Sequence, residues 1–225
     1  MQRMNKLKKS MLAGIFLLII LLLANFSIKL FLPSPANFWA TRIYFWLVVA
    51  AMAFYALKVE KQTFLLYEEK KYLFGKALSM AFIMVVVIIF GMAVLNFILK
   101  FFGLSQEPSQ ETKAIYSLFK DNYLLLIFTC ITAGVTEELL FRGYLHTRLE
   151  KLFGNAGVGI LISATVFGIM HVSWNNIFQI IGTFWMGLVL AFFYYKYRNI
   201  KILILLHIFY DLFSIGIKLL IDNSL

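Results

Sequence analysis

The amino-acid sequence predicts an all-α fold, a polytopic transmembrane helical bundle of about seven spans. Composition is the first reason: 62% of the 225 residues are hydrophobic and 14% are charged, and the mean hydropathy is +0.85. Soluble domains average about 25% charged residues, so this chain lies far outside their range. The second reason is that apolar stretches long enough to cross a bilayer recur along the chain. These stretches also lack the alternation typical of barrel strands.

The first span, from Met11 to about Leu32, follows a basic N-terminal segment. It resembles a signal peptide, but the run is long and no Ala-x-Ala-like site follows it, so we expect an uncleaved helix. Six further spans are expected downstream. They lie at about 43–57, at 77–99, from 123 through the Glu137–Glu138 pair, from 154 to 174, at 177–195, and from beyond Lys201 to about 221.

Two polar connections separate the early spans. The first, Lys58 to Lys76, holds five lysines and three glutamates between aromatic residues. We expect it to lie on the cytoplasmic surface as an amphipathic helix. The second, Lys100 to Asn122, is the longest polar loop, and we expect it outside the cell.

The distribution of Lys and Arg orients the bundle, because cytoplasmic loops are enriched in both residues. Segments on the side of the N-terminus hold fourteen of them, including Arg148, whereas the opposite side and its span ends hold six, including Arg42. We therefore expect an integral protein of a bacterial cell membrane with a cytoplasmic N-terminus. The net charge of +10 has the same origin, so we expect contact with the lipid bilayer and none with nucleic acid.

Ionisable side chains inside the apolar segments are the candidate functional residues, because unpaired charge is costly at membrane depth. Glu137 and Glu138 are adjacent, so on a helix they point about 100° apart. Arg142 follows Glu138 at the i,i+4 spacing that allows an ion pair on one face. We expect Glu138 and Arg142 to form a structural, supporting pair and Glu137 to be directed elsewhere as a general base or acid.

Two downstream spans add further polar groups, His171 in one and His207 with Asp211 at i,i+4 in another. We expect Glu137, His171, His207 and Asp211 to converge on one cavity. Such a set can activate a water and stabilise an oxyanion, or it can bind a divalent metal. The single cysteine, Cys130, excludes a cysteine-based metal site, and no zincin motif is present.

These residues resemble the CPBP family, the CAAX-processing and bacteriocin-processing intramembrane endopeptidases, also called the ABI family. The family pattern is Glu-Glu-x-x-x-Arg, then Phe-x-x-x-His, then His-x-x-x-Asn or Asp. In this chain the three parts are 137–142, 167–171 and 207–211, in that order. The similarity covers roughly Leu124 to Ser214. It implies a division into N-terminal spans and loops over residues 1–122 and a CPBP-like protease core, containing the last four spans, over residues 123–221.

The resemblance implies proteolysis in the membrane through a cavity open to the cytoplasm. Glu137 would be the general base, His171 would hold and polarise the water, and His207 with Asp211 would stabilise the oxyanion. An ionised Asp211 repels an oxyanion, so it must be protonated, orient His207 or ligate a metal. No obligatory cofactor is expected. A divalent metal such as zinc, held by Glu137, His171 and His207, is the alternative.

The expected partner is a peptide or protein substrate, of CAAX type or, as a bacterial chain favours, a leader or signalling peptide; the oligomeric state is left open. Two other functions are compatible with the same motifs. One is a non-catalytic bacteriocin self-immunity or regulatory protein, and the other is a transporter built on membrane Glu and His residues. A transporter is disfavoured because no inverted repeat is evident.

Depth in the membrane is the difficulty for this site. His207 lies six residues beyond Lys201, or roughly 9 Å, whereas His171 lies twenty residues beyond Lys151, or roughly 30 Å. Convergence therefore requires an interfacial helix around Gly143 to Asn155, tilted spans or a different topology.

Overall fold

The computed structural model describes residues 2–32, 36–104, 109–120 and 122–222. Its helices are α1 (Gln2–Phe31), α2 (Ala36–Tyr55), α3 (Phe74–Phe101), α4 (Gln110–Phe119), α5 (Tyr123–Glu137), α6 (Thr147–Phe153), α7 (Ala156–Ile169), α8 (Ile177–Tyr197) and α9 (Ile200–Asp222). A π-helical segment, Ala56–Glu60, extends α2, another, Glu138–His146, joins α5 to α6, and a 3-10 turn, Val172–Trp174, follows α7. Seven helical stretches of these residues are long and apolar enough to cross a membrane, which confirms the all-α class and the seven spans.

Successive spans run in opposite directions, so the bundle has two ends. One end, called the basic end here, holds the start of α1, the end of α2, the 61–73 segment, α6 and the α8–α9 turn. Tyr55, at the end of α2, donates a hydrogen bond to the Ser10 carbonyl at 2.9 Å. The other end, the α4 end, holds α4, the starts of α2 and α5 and the end of α9. There Phe38 packs on Phe119, and the Lys218 ammonium lies 3.2 Å from the Tyr116 hydroxyl.

The two polar connections differ from the expectation. Residues 61–73 form no amphipathic helix; they cross the basic end as an irregular strap. This strap is held by a hydrogen bond from the Lys70 amide to the Arg198 carbonyl and by one from the Asn199 side chain to the Lys70 carbonyl, both 2.7 Å. The second connection contains a helix, α4, where a loop was expected, because Ser109 caps its start by accepting from the Thr112 amide.

A buried ion pair ties the N-terminal spans to the helices that follow. Arg148 was counted as a cytoplasmic surface charge, but its side chain is fully buried and lies 2.9 Å from a Glu60 carboxylate oxygen. Tyr144 donates to the other Glu60 oxygen at 2.6 Å. The π-helical end of α2 carries Glu60 back over α6, and the pairing removes the cost that each charge would carry alone.

Glycines set the closest helix contacts, as in other membrane bundles where small residues allow backbones to approach. A methyl group on Gly134 of α5 would lie 3.2 Å from the Ile208 backbone nitrogen and 3.3 Å from the Ile204 carbonyl oxygen of α9. Gly134 stands one turn before Glu137. The absence of a side chain there therefore fixes how closely α9 approaches the glutamate pair.

We predict that Gly134→Ala destabilises the protein by about 1–3 kcal/mol, because the added methyl group overpacks a backbone contact. The measurement is thermal unfolding of detergent-purified protein, followed by tryptophan fluorescence. Gly216→Ala is the matched control on α9, since a methyl group there meets nothing within 4 Å. It should leave stability equal or slightly raised through helix propensity. A Gly134→Ala protein as stable as Gly216→Ala would contradict the prediction.

Candidate functional site

Glu138 is the buried centre of the polar cluster. Its Oε1 accepts from Arg142 Nη1 at 2.7 Å, so the expected i,i+4 pair is present, and it lies 2.8 Å from His207 Nδ1. Because an ionised carboxylate only accepts, His207 donates through Nδ1. Arg142 also reaches the Gly187 carbonyl of α8 at 3.4 Å. Glu138 is thus held through Oε1 inside the bundle with no exposed surface, while its buried Oε2 has no hydrogen-bond partner among the described residues.

Glu137 takes a different environment. Its Oε2 lies 3.9 Å from His207 Nε2, and the carboxylate retains 14% of its side-chain exposure. Asp211 Oδ2 lies 3.5 Å from the same His207 nitrogen. His207 therefore lies among three carboxylates. Glu138 is buried, whereas Glu137 and Asp211 face open space. This arrangement leaves a carboxylate able to accept a proton from a bound water beside a fixed imidazole.

His171 is oriented by its own motif. Its Nδ1 lies 2.8 Å from the Phe167 carbonyl oxygen, one turn earlier, so Nδ1 carries the proton and Nε2 of the neutral ring is an acceptor. The Phe167 ring packs edge-on against both His171 and His207, with centroids 5.0 and 6.2 Å apart. Arg142 lies over the same ring at 4.5 Å. The role of Phe167 was not foreseen; it joins all three motifs.

The helix lengths resolve the expected difference in depth. Gly154 lies in the turn between α6 and α7. Glu137 lies 17 residues before Gly154, and His171 lies 17 residues after it. Both therefore lie about 25 Å from that turn along antiparallel helices. No separate interfacial helix is needed, since α5, the π-helical segment and α6 form one span, Tyr123–Phe153. His207 reaches the same level because the α8–α9 turn is recessed, with the 61–73 strap across it and Arg198 2.6 Å from Glu150 of α6.

The π-helical segment, Glu138–His146, begins at the second glutamate of the pair. Every residue from Leu140 to Leu149 is buried, whereas a helix at the surface buries only one of its faces. His146 is among them, 3.3 Å from Glu150. π-helical turns are rare and occur often at functional sites, and the sequence carries no recognised signal for this one.

A cavity of about 780 Å³ contains the open faces of the site. Glu137, His171, His207 and Asp211 all line it, so the four expected residues share one cavity; Glu138 and Arg142 do not line it. The cavity occupies the half of the bundle towards the α4 end, where Tyr116 and Lys218 form part of its wall. Its walls are mostly apolar, which suits an extended peptide segment.

The position of the cavity brings two expectations into conflict. Fourteen Lys and Arg residues assign the basic end to the cytoplasm, whereas the family resemblance implies a cavity open to the cytoplasm. The cavity lies at the opposite end from the N-terminal segment. A cytoplasmic N-terminus and a cytoplasmic cavity therefore exclude each other in this fold.

Arg42 is the charged residue of this cavity that sequence reasoning missed. It was counted as an external charge before a span starting at 43, but α2 begins at Ala36 and carries Arg42 into the cavity wall. The i,i+4 spacing from Phe38 was an available signal, because the guanidinium lies 5.1 Å from that ring.

A divalent metal would need several ligating side chains directed at one point. Among the described residues, no group of three or more His, Cys, Asp and Glu side chains is arranged to hold a metal ion. Glu137, His171 and His207 thus do not form a ready ligand set in this structure. Metal dependence stays a prediction.

Comparison with known proteins agrees with the motifs. Residues 119–213 match the family model described as Type II CAAX prenyl endopeptidase Rce1-like, and all three motifs lie inside that range. The chain is also 28% identical, over 122 residues, to a Bacillus subtilis (strain 168) protein described as "Putative membrane peptidase YdiL". That alignment covers 52% of this chain and 46% of the relative, so the chain spans about half the length of the curated relative it matches. The search of solved structures finds no match. Residues 119–213, less than half of the chain, are thus similar to a family of membrane endopeptidases.

Proposed function

We propose that this protein is an intramembrane endopeptidase that hydrolyses a peptide bond with a water activated by Glu137. The observation that supports this most directly is that the two adjacent glutamates have different environments. Glu138 is held by Arg142 and His207 away from the cavity, while Glu137 faces it beside His207. One carboxylate secures the geometry and the other is available for chemistry.

The proposed reaction uses only side chains of the cavity. The Glu137 carboxylate removes a proton from water as the water oxygen attacks the carbonyl carbon, and the π electrons move to the carbonyl oxygen. His171, with Nδ1 held by Phe167, accepts a hydrogen bond from the same water through Nε2. The tetrahedral intermediate then collapses, the C–N bond breaks, and protonated Glu137 returns its proton to the leaving nitrogen.

The orientation of the bundle in the membrane limits which class of substrate can reach the cavity. With the basic end in the cytoplasm, the cavity at the α4 end faces the outer half of the membrane. A CAAX-type substrate, at the C-terminus of a cytoplasmic protein, could not enter there. A leader or signal peptide of an exported chain reaches that side, and its apolar segment fits the apolar walls. We therefore propose leader or signal peptides as the substrate class.

We predict that Glu137→Gln lowers the rate of peptide cleavage by about 10²–10⁴-fold, the usual contribution of a general base, without loss of folding. The assay is cleavage of internally quenched leader and signal peptides by detergent-purified protein. Glu68→Gln is the matched control, an exposed carboxylate on the 61–73 strap. Unchanged cleavage by Glu137→Gln would contradict the proposed mechanism.

A chelator in the same assay separates the two ways of activating water. Glutamate-activated water predicts full activity of the wild-type protein after treatment with 1,10-phenanthroline. Activity lost with the chelator and restored by zinc would replace that mechanism with a metal-dependent one.

We predict that the α4 end is extracytoplasmic. In a Cys130→Ala background, Ser117→Cys on α4 and Glu68→Cys on the strap place single exposed thiols at opposite ends. A membrane-impermeant maleimide should label Ser117→Cys in intact cells, and Glu68→Cys only after permeabilisation. The reverse pattern would turn the cavity to the cytoplasm and restore CAAX-type substrates.

A further inference from the structure

Arg42 occupies an unusual position in the cavity wall. It lies on α2, which carries none of the three motifs and packs directly on α5. Its Nε is buried and has no hydrogen-bond partner among the described residues. A guanidinium remains protonated in proteins, so the cavity contains a permanent cation.

Three other arginines of the described residues are each paired with a carboxylate. Arg142 binds Glu138, Arg148 binds Glu60, and Arg198 binds Glu150, at 2.6–2.9 Å. Arg42 has no carboxylate within ion-pair distance in the described part of the chain. The charges that attract it are Glu137 and Asp211, which line the same cavity. It is therefore held in the field of the reacting carboxylates without being neutralised by direct contact.

The proposed hydrolysis requires a hydrogen-bond donor for the oxyanion, and the three motifs do not supply one. The carbonyl oxygen becomes an oxyanion beside Asp211, which repels it when ionised, and Glu137 at that moment carries the proton taken from the water. The family pattern allows Asn at the last motif position, and an Asn amide can donate a hydrogen bond, but this chain has Asp211. His207 Nδ1 is committed to Glu138, and Nε2 faces Asp211 and Glu137.

We propose that Arg42 is a further catalytic residue that stabilises the oxyanion of the tetrahedral intermediate, replacing the donor lost where this chain carries Asp211. The inference rests on the proposed proteolysis. The guanidinium would donate N–H bonds to the carbonyl oxygen as charge develops on it. Because that interaction strengthens in the transition state, its loss should lower kcat more than it raises KM.

The test uses peptides that the purified wild-type protein cleaves in the quenched-peptide assay. Arg42→Gln should lower kcat by about 10²–10³-fold, the usual cost of removing one oxyanion donor, with KM changed less than about threefold. Arg42→Lys keeps the charge and should retain more activity than Arg42→Gln. Lys113→Gln is the matched control: it removes an exposed cation of α4, at the same end of the bundle but outside the cavity wall, and should leave kcat unchanged.

A structural role for Arg42 makes a different prediction. Asp211→Asn supplies an amide donor and removes a negative charge, so the kcat loss caused by Arg42→Gln should be at least tenfold smaller in the Asp211→Asn background. Thermal unfolding of the four proteins in this cycle is measured in parallel. If the kcat losses follow the melting temperatures, or the cycle shows no coupling in kcat, Arg42 only supports the fold and the proposal is wrong.

The outcomes separate this proposal from the function on which it rests. If Glu137→Gln is inactive while Arg42→Gln cleaves within twofold of the wild-type rate, Arg42 has no catalytic role, and the proposed protease function stands. Wild-type protein that cleaves no peptide, or Glu137→Gln that cleaves as well as wild type, would overturn both.

Discussion

The shared carboxylate of Glu138 is the interaction on which the site depends. Glu138 has no exposed surface on which water could solvate its charge, so it requires Arg142 and His207 together. Satisfying it joins four elements: the π-helical segment carries the pair, α9 brings His207, α8 offers the Gly187 carbonyl, and α7 places Phe167 under the guanidinium. The buried half of the glutamate pair thereby fixes the position of the half that faces the cavity.

The cavity combines two environments that have different functions. Its mostly apolar walls suit a peptide segment taken from the bilayer, and its carboxylates and imidazoles, Glu137, Asp211, His171 and His207, lie at one level. Water reaching that level meets a low-dielectric surround, where fixed charges act more strongly than in solution. The same reasoning makes an uncompensated excess of carboxylates costly, which is why a cation in the cavity wall matters to any reaction that adds negative charge.

Much of this could be predicted from the sequence, because hydropathy determines spans and three spaced motifs determine which spans must meet. The seven spans, the Glu138–Arg142 pair and the shared cavity followed from those two signals. Arg42 and Arg148 were misplaced because both were counted as loop charges, whereas packing draws them inside. The π-helical segment, the recessed α8–α9 turn and the strap depend on contacts between distant residues, which periodicity along one helix does not encode.

The pairing of Glu60 with Arg148 also constrains how the chain enters the membrane. The two residues are 88 positions apart, so the ribosome releases the end of α2 long before the partner of Glu60 exists. Until α6 is synthesised, Glu60 must stay in water at the membrane surface, and the lysines around it favour that position. Final seating of α2 is therefore a late event of biogenesis. Completion of the cavity, whose wall includes the first half of α2, must wait for it.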